Sequence, residues 1–128
     1  MARVRSRSVH SLLLAVGVSC APQASRPPAT LTVTQDRAEV RGAVLENVKQ
    51  CEADGACYLV LQAADAAVHV LYHHGEAPRC DNPDAARTGL GAKTGDAILA
   101  AGRYTRTNAY HLVDVCCSDC LLTIASAH

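Results

Sequence analysis

The chain has no tryptophan or phenylalanine, and only four tyrosines among its 128 residues. Proteins that bind single-stranded nucleic acid stack bases on aromatic side chains, so this scarcity argues against that class. A core without Phe or Trp must be built from Val, Leu, Ile and Ala, and a small core of such side chains is only marginally stable. Small exported domains commonly compensate with disulfides.

Long apolar runs are also absent, since none reaches the roughly 20 residues that a membrane-spanning helix requires. The N-terminus instead has three arginines, a short apolar run at 12–18, and then Ser19 and Cys20. This order resembles the signal of a bacterial lipoprotein, in which the cysteine is acylated and becomes the first residue. The resemblance implies a signal peptide at 1–19 and lipidation of Cys20. An ordinary secretory signal, cut slightly later, is the alternative.

Residues 20–30 are rich in proline and small side chains, which predicts an extended tether between the lipid and a domain at 31–128. By resemblance to known lipoprotein sorting, Ala21 after the cysteine favours the outer membrane, on its periplasmic side. We therefore expect a domain of the cell envelope that is held to the membrane by its N-terminal lipid.

The charge of the mature chain differs from that of the whole sequence. Loss of Arg3, Arg5 and Arg7 with the signal leaves nine basic against twelve acidic side chains, a net charge of −3. Binding to phosphate backbones depends on a basic surface. Charge as well as aromatic content therefore argues against nucleic acid as a partner.

Six cysteines remain besides Cys20, and an even number predicts a disulfide framework in a small exported domain. Two of them flank Asp54-Gly55, a hairpin signal that favours a bridge between Cys51 and Cys57. Cys80 is predicted to pair with one of three late cysteines, and the other two pair or stay free. The six are Cys51, Cys57, Cys80, Cys116, Cys117 and Cys120.

Cys117 and Cys120 have the C-x-x-C spacing that supports thiol–disulfide exchange where a thiol pKa is lowered. A thioredoxin-like βαβ setting is not evident around them. The late cysteines, with Cys80 and either His73 or His74, also offer soft ligands for zinc or copper. Structural zinc sites usually use two ligand pairs, and only one C-x-x-C exists, so no metal is predicted. Thiol-redox or metal-handling chemistry remains the alternative function.

The apolar pattern predicts a short helix between the third and fourth strands. Asn82 caps this helix at 81–92, Pro83 takes its first position, and Gly89 ends it. Alternation in the third strand places His69, Leu71 and His73 on one face. The predicted strands are at 38–49, 58–63, 67–74, 97–105 and 109–117, followed by an apolar run at 120–125.

A long first strand broken by Gly42, a meander, and a helix before the fourth strand are typical of a five-stranded OB barrel. The fragments VRGAVLENV, VHVLYHHGEAP and KTGDAILAAGRY resemble those of small exported OB-fold domains. The resemblance implies an all-β, OB-like barrel, and a small β-sandwich is the alternative. It also implies that the loop containing Cys51 and Cys57 borders the ligand face.

No catalytic motif is present: there is no Ser-His-Asp order, phosphate-binding glycine loop, paired-carboxylate motif or H-E-x-x-H. We therefore expect no catalytic residue and no cofactor. The expected function is a lipid-anchored, disulfide-braced binding module of the cell envelope, whose partner is a protein, a glycan or a small ligand.

Overall fold

The computed structural model describes residues 26–53, 55–75 and 80–125. The predicted signal at 1–19 and the predicted lipidation site Cys20 lie outside these ranges. In the described part the chain folds into eight β-strands, one α-helix and one 3-10 turn at Gln50–Glu52. The elements are β1 (Thr30–Thr34), β2 (Arg37–Ala43), β3 (Glu46–Lys49), β4 (Cys57–Gln62), β5 (Ala67–His73), α1 (Pro83–Gly91), β6 (Ala97–Arg106), β7 (Tyr110–Asp114) and β8 (Leu121–Ile124).

The strands form one sheet in the order β1-β2-β6-β7-β5-β4-β3, with β8 paired to β6. Neighbours are antiparallel except β5 and β7, which are parallel because α1 and β6 intervene along the chain. The prediction of an all-β domain with one short helix is confirmed. The finer prediction of a five-stranded barrel is not, because eight strands are present and their ladder, over the described residues, does not close into a barrel.

The predicted first strand at 38–49 is divided into β2 and β3 by a bend. At this bend the Val44 N–H donates to the Asp96 carbonyl (2.9 Å), while the Leu45 N–H donates to the Val60 carbonyl (2.8 Å). Consecutive residues thus bond in opposite directions, one to the residue before β6 and the other to β4, which are not neighbours in the sheet order. The bend does not fall at Gly42, since β2 pairs with β6 in continuous register. A side chain at Gly42 would instead overlap Ala29.

Strand alternation places one side chain in two in the core, as the period of a β-strand requires. In β5 the inward residues are Val68, Val70 and Tyr72, which are fully buried and share one face, as the alternation predicted. Other fully buried side chains of the described residues include Val40, Val44, Cys57, Leu59, Leu61, Ala100, Val113 and Val115. The core begins early in the chain, because Ala29 is buried and its N–H donates to the Gln62 carbonyl (2.7 Å).

Helix α1 begins at Pro83 as predicted and ends at Gly91, inside the predicted range of 81–92 but beyond the predicted terminator Gly89. Pro83 is its first residue, and the Asn82 side chain accepts a hydrogen bond from the Ala85 N–H (3.1 Å). Gly89 does not end the helix, which continues to Gly91. The absence of a side chain at Gly89 instead allows the helix to pack closely, because a Cβ at Gly89 would overlap the buried ring of Tyr72.

Asn47 fastens the end of α1 to the sheet. Its amide donates to the carbonyls of Gly89 (2.8 Å) and Ala92 (2.9 Å), and its carbonyl accepts from the Tyr72 hydroxyl (2.5 Å). Desolvation raises the pKa of Tyr72 to about 12, so this hydroxyl remains a donor. Within the described ranges, no helix combines the length and apolarity needed to cross a bilayer.

Three disulfides brace the domain, which confirms that a disulfide framework is present. Cys51–Cys57 closes the loop between β3 and β4, with Cα atoms 5.0 Å apart. Cys80–Cys116 joins the segment before α1 to the residues after β7, with a Cα separation of 4.5 Å. Cys117–Cys120 spans the turn before β8, with a Cα separation of 5.1 Å. All six predicted disulfide cysteines are therefore paired.

Candidate functional site

Half-buried aromatic and aliphatic side chains form a continuous outer surface on three adjacent strands. Their inward neighbours, such as Leu59, Val70 and Val113, fill the core, so alternation directs the intervening residues outward. We name this surface the tyrosine–histidine face. It consists of Tyr58 and Val60 on β4, His69 and Leu71 on β5, and Tyr110 and Leu112 on β7.

Three rings on this face form a stack that runs diagonally across the strands. The centroids of Tyr58 and His69 lie 4.5 Å apart with planes inclined by 19°, and those of His69 and Tyr110 lie 3.9 Å apart at 16°. The strand register explains the diagonal. His69 lies directly opposite Val60 on β4 and Leu112 on β7, and each tyrosine is two residues before the one that faces His69. Large aromatic side chains bridge such diagonal positions.

Within residues 26–53, 55–75 and 80–125, the polar atoms of the stack have no hydrogen-bond partner. No described residue hydrogen-bonds to the His69 ring nitrogens or to the hydroxyls of Tyr58 and Tyr110. Desolvation lowers the pKa of His69 from its usual 6.5. At neutral pH the ring is therefore uncharged, and it presents one N–H donor and one acceptor. These groups remain free to bond to a ligand.

An apolar groove of about 290 Å³ runs beside the stack. Leu71 and Leu112 form its sides, and the three rings form one wall. Its volume is at the small end of the range for ligand sites, which are mostly apolar with a few polar groups. The groove thus has the composition of a binding site and the size of a small ligand or one segment of a larger one.

The disulfide-closed loop borders one end of the groove through Ala56. This loop is fixed twice, by the Cys51–Cys57 bond and by packing of the Gly55 carbonyl against Gly75. Gly75 has a φ of +83°, and any side chain there would overlap that carbonyl. The loop therefore keeps one position at the edge of the face.

The turn between β6 and β7 orients Tyr110 at the other end of the stack. The Thr107 hydroxyl accepts from the Tyr110 N–H (3.0 Å) and donates to the Tyr110 carbonyl (2.9 Å). The Ala109 N–H also donates to this hydroxyl (3.3 Å). Local hydrogen bonds of this kind are typical of tight turns, and here they fix where the stack ends.

His111 lies on the opposite face of the sheet from His69 and is buried. Its Nε2 lies 3.0 Å from the Asp65 carboxylate, and its Nδ1 lies 2.8 Å from the Tyr104 hydroxyl. The hydrogen bond from His111 lowers the pKa of Asp65 below its usual 3.8. We interpret this chain as structural, because it ties the turn before β5 to β6 and β7.

Two groups of side chains bring metal-ligand types within 4.8 Å of one another: His74, Asp114 and Cys116, and Cys117, Asp119 and Cys120. Cysteine binds metal as a thiolate, and the sulfurs of both groups are in disulfides. In this form neither group offers its full ligand set. His74 instead pairs with Asp114 (2.9 Å).

His73 takes no part in either group. Its Nδ1 accepts a hydrogen bond from the Gly75 N–H (3.0 Å), which closes the end of β5.

Sequence reasoning placed His69 and Leu71 on one face but missed their partners Tyr58 and Tyr110. The sequence offered only a weak signal for these partners. Both tyrosines lie at or near the start of an apolar run, and the chain has only two other tyrosines. Comparisons with protein-family models, with curated proteins and with solved structures each gave no match.

Proposed function

We propose that the chain is a lipid-anchored, disulfide-braced binding module of the cell envelope, whose ligand lies on the tyrosine–histidine face. The observation that carries the proposal is the Tyr58–His69–Tyr110 stack beside an apolar groove, where the polar atoms of the rings lack a partner in the part of the chain that the structure describes. Exposed apolar surface rimmed by polar groups is a mark of interaction sites.

We propose an OB-like architecture in which β2 and β3 are the two halves of one bent first strand. They are consecutive in the chain but pair at opposite ends of the sheet order, β2 with β6 and β3 with β4. The two oppositely directed hydrogen bonds at Val44 and Leu45 support this reading. The second and third strands are then β4 and β5, which carry ligands in OB folds.

The chemistry of the face favours an uncharged ligand. Its six side chains carry no charge at neutral pH, since burial keeps His69 neutral. The mature chain has a net charge of −3 if the signal is removed, which disfavours polyanions. A glycan, an uncharged protein segment or an uncharged small molecule fits the apolar groove and the free donors and acceptors beside it.

The membrane anchor is assigned to Cys20 on the sequence resemblance. Replacing Cys20 with Ala is expected to release the protein from the membrane fraction. The change Ser25→Ala, in the same tether, is the matched control and should leave the protein membrane-bound. Fractionation followed by immunoblotting distinguishes the two, and retention of Cys20→Ala in the membrane would refute acylation.

No catalytic residue, cofactor or resident metal forms part of this proposal. The pairing of six cysteines into three disulfides favours a braced binding module over a protein that works through free thiols. The alternative of thiol chemistry at Cys117 and Cys120 has one specific observation in its favour, which is the contact of Arg37 with Cys117.

A ligand titration tests the binding face. The full chain, purified from membranes in detergent, is titrated with a malto-oligosaccharide, a capped peptide of alternating Val and Thr, and oligothymidylate, and followed by NMR. We expect an uncharged probe to shift the resonances of Tyr58, His69 and Leu112, and oligothymidylate to shift none of them.

The variants Tyr58→Ala and Thr32→Ala complete the test. The first removes one stacked ring, and an aromatic contact contributes about 1 kcal/mol or more, so affinity should fall about tenfold. The second removes an exposed hydroxyl on a different surface and should bind normally. Equal affinities for the two variants, or shifts confined to residues away from the stack, would refute the assignment of the face.

A further inference from the structure

The turn that carries Cys117 and Cys120 is held by hydrogen bonds that do not depend on its disulfide. The Cys120 N–H donates to the Cys117 carbonyl (3.0 Å). The Asn82 amide donates to the carbonyls of both Cys117 (3.2 Å) and Cys120 (2.8 Å). Asn82 is itself fixed as the N-cap of α1. The turn therefore keeps its shape when the sulfur–sulfur bond opens.

The three disulfides differ in how much chain they constrain. Cys117 and Cys120 are separated by 3 positions, whereas Cys80 and Cys116 are separated by 36. Stabilisation by chain constraint increases with the length of the closed loop. The Cys117–Cys120 bond thus contributes least to the fold, and its reduction is compatible with a folded domain.

The two sulfurs of this bond have different surroundings. Cys117 is half-buried, whereas Cys120 is only 8 % exposed. The Arg37 guanidinium lies 3.7 Å from the Cys117 sulfur, in a contact that spans 80 residues of sequence. A neighbouring cation stabilises a thiolate and lowers the pKa of the thiol.

Other charged groups around this turn partly offset the guanidinium. Asp119, from the turn itself, binds Arg37 at 3.2 Å. Asp114, from the end of β7, directs its carboxylate to His74 and to the Cys116 N–H (2.8 Å) instead. On β6, Arg103 lies opposite Arg37 of β2 on one side and opposite Asp114 of β7 on the other. Among the described contacts, Arg37 is the cation that reaches the Cys117 sulfur, and Asp119 opposes it.

We propose that Cys117–Cys120 is an exchange-active disulfide, in which Cys117 is the sulfur that forms mixed disulfides and Cys120 is the sulfur that leaves on reduction and resolves the mixed disulfide on reoxidation. In reoxidation the Cys117 thiolate attacks an external disulfide and releases one external thiolate, and the Cys120 thiolate then attacks Cys117 Sγ and releases the second.

In reduction the steps run in reverse. An external thiolate attacks Cys117 Sγ, and the electron pair of the broken bond leaves on Cys120. A second thiolate then attacks the external sulfur of the mixed disulfide, which releases an external disulfide and the Cys117 thiolate. Two thiols are oxidised, two protein sulfurs are reduced, and solvent supplies the protons.

Neither of the other disulfides has this combination of features. The Cys57 sulfur is fully buried and accepts a hydrogen bond from the Cys51 N–H (3.2 Å). The Cys116 sulfur belongs to a residue that is 5 % exposed, and its bond spans the long segment that contains α1. Among the described contacts, no arginine or lysine reaches the sulfurs of these two pairs, and His74, which lies within 4.8 Å of the Cys116 sulfur, pairs with Asp114. Exchange activity is thus assigned to one pair of cysteines.

Redox titration of the full chain tests the assignment. The protein, purified from membranes in detergent, is equilibrated with mixtures of reduced and oxidised glutathione, alkylated and mapped by peptide mass spectrometry. We expect Cys117 and Cys120 to become alkylated together, at a lower proportion of reduced glutathione than the other four paired cysteines require. Reduction of all three disulfides together, or of Cys80–Cys116 first, would overturn the proposal.

Single-cysteine variants test which sulfur reacts. Cys120→Ser, incubated with oxidised glutathione, should form a mixed disulfide at Cys117 several-fold faster than Cys117→Ser forms one at Cys120. In the Cys120→Ser background, Arg37→Gln should raise the pH midpoint of alkylation of Cys117 by about one unit, and Asp119→Asn should lower it.

Arg41→Gln is the matched control, since Arg41 lies on the same side of β2 and pairs with Glu39 instead. It should leave the midpoint unchanged. An Arg37→Gln profile identical to that of Arg41→Gln would overturn the role of Arg37. Equal or faster reaction at Cys120 would overturn the choice of nucleophile. Neither of these two results would bear on the proposed binding at the tyrosine–histidine face, because Arg37, Cys117 and Cys120 lie outside that face.

Discussion

Two outer surfaces of the same sheet have grooves of similar size and opposite chemistry. The tyrosine–histidine face has a groove of about 290 Å³, and a groove of about 320 Å³ lies across β1, β2 and β6. We name the second surface the threonine–arginine wall. It consists of the outward residues Thr32, Thr34, Arg37, Glu39 and Arg41.

The difference lies in where the polar groups find partners. On the threonine–arginine wall, Arg41 pairs with Glu39 (3.1 Å) and Arg37 pairs with Asp119 (3.2 Å), so the charges are satisfied within the chain. On the tyrosine–histidine face, the ring nitrogens and hydroxyls of the stack have no partner among the described residues. Groove volume alone does not separate the two surfaces, and the Thr32 and Thr34 hydroxyls also lack a partner among the described residues. The surfaces differ because the charged groups of the wall pair within the chain, whereas the polar atoms of the tyrosine–histidine face belong to stacked rings beside apolar side chains.

The largest effect on stability is expected on the inner side of the strands that carry the tyrosine–histidine face, where α1 packs on Tyr72. Gly89→Ala would place a methyl group in the Tyr72 ring, and overpacking of this kind lowers the free energy of unfolding by about 1–3 kcal/mol. Chemical denaturation of the oxidised protein measures this loss.

The control for that variant is Gly91→Ala, in the same helix. Nothing lies within 4 Å of a Cβ at Gly91, and alanine favours a helix over glycine by about 0.5–1 kcal/mol. We expect this variant to match or exceed the wild type in stability. Equal effects of the two substitutions would show that the contact between Gly89 and Tyr72 does not support the sheet.

Removal of one ring from the stack sharpens the comparison directly. Tyr58→Ala breaks the stack with His69, and an aromatic pair contributes about 1 kcal/mol beyond the area that it buries. Thr32→Ala removes an exposed side chain on the other surface and should change stability by less than about 0.5 kcal/mol. Urea denaturation of both variants gives the difference. Indistinguishable midpoints would contradict the stacking geometry.

The next largest effect is the contribution of His69 titration to the pH dependence of the free energy of unfolding. Because burial lowers the pKa of His69, the unfolded chain binds its proton at a higher pH than the folded chain does. The contribution of His69 to stability is therefore complete above its usual pKa of 6.5 and is lost as the pH falls from there toward the folded pKa. His69→Gln should remove this pH dependence.

NMR of the imidazole protons measures the shift. The His69 resonances should titrate below pH 6.5. A folded-state pKa at or above 6.5 would mean that the two tyrosine rings do not desolvate the imidazole, and the stack would have to be more open than the structure has it.

The smallest effect is expected on the threonine–arginine wall. Glu39→Gln breaks an ion pair whose side chains are 66 % and 48 % exposed. Exposed pairs of this kind contribute at most about 1 kcal/mol and often nothing measurable. We expect a change in the free energy of unfolding below about 0.5 kcal/mol by urea denaturation. A loss as large as that of Tyr58→Ala would erase the contrast between the two surfaces.

Local patterns in the sequence predicted the features that depend on neighbouring residues. Alternation through 67–74 assigned the two faces of β5 correctly, and the Asn82-Pro83 pair marked the start of α1. The slip in alternation at Leu45 coincides with the bend between β2 and β3. These signals are local because side-chain period and capping are set within a few residues.

Features that depend on distant pairing were out of reach. Tyr110 joins the stack only because β7 pairs in parallel with β5, and nothing local fixes that register. Gly89 was taken for a helix end because its role is contact with Tyr72, which lies 17 positions earlier in the chain. Strand β1 was also not predicted, although its sequence TLTVT has the alternation and the β-branched residues that favour a strand.

Hydroxyl-radical footprinting of the protein in intact membranes, compared with the purified protein, tests the central claim without knowledge of the ligand. If the tyrosine–histidine face is the binding site, oxidation of Tyr58, Leu71 and Tyr110 should fall in the membranes, while that of Val33 on β1 stays unchanged. Equal oxidation of the three residues in both preparations, or protection confined to β1 and β2, would contradict the account.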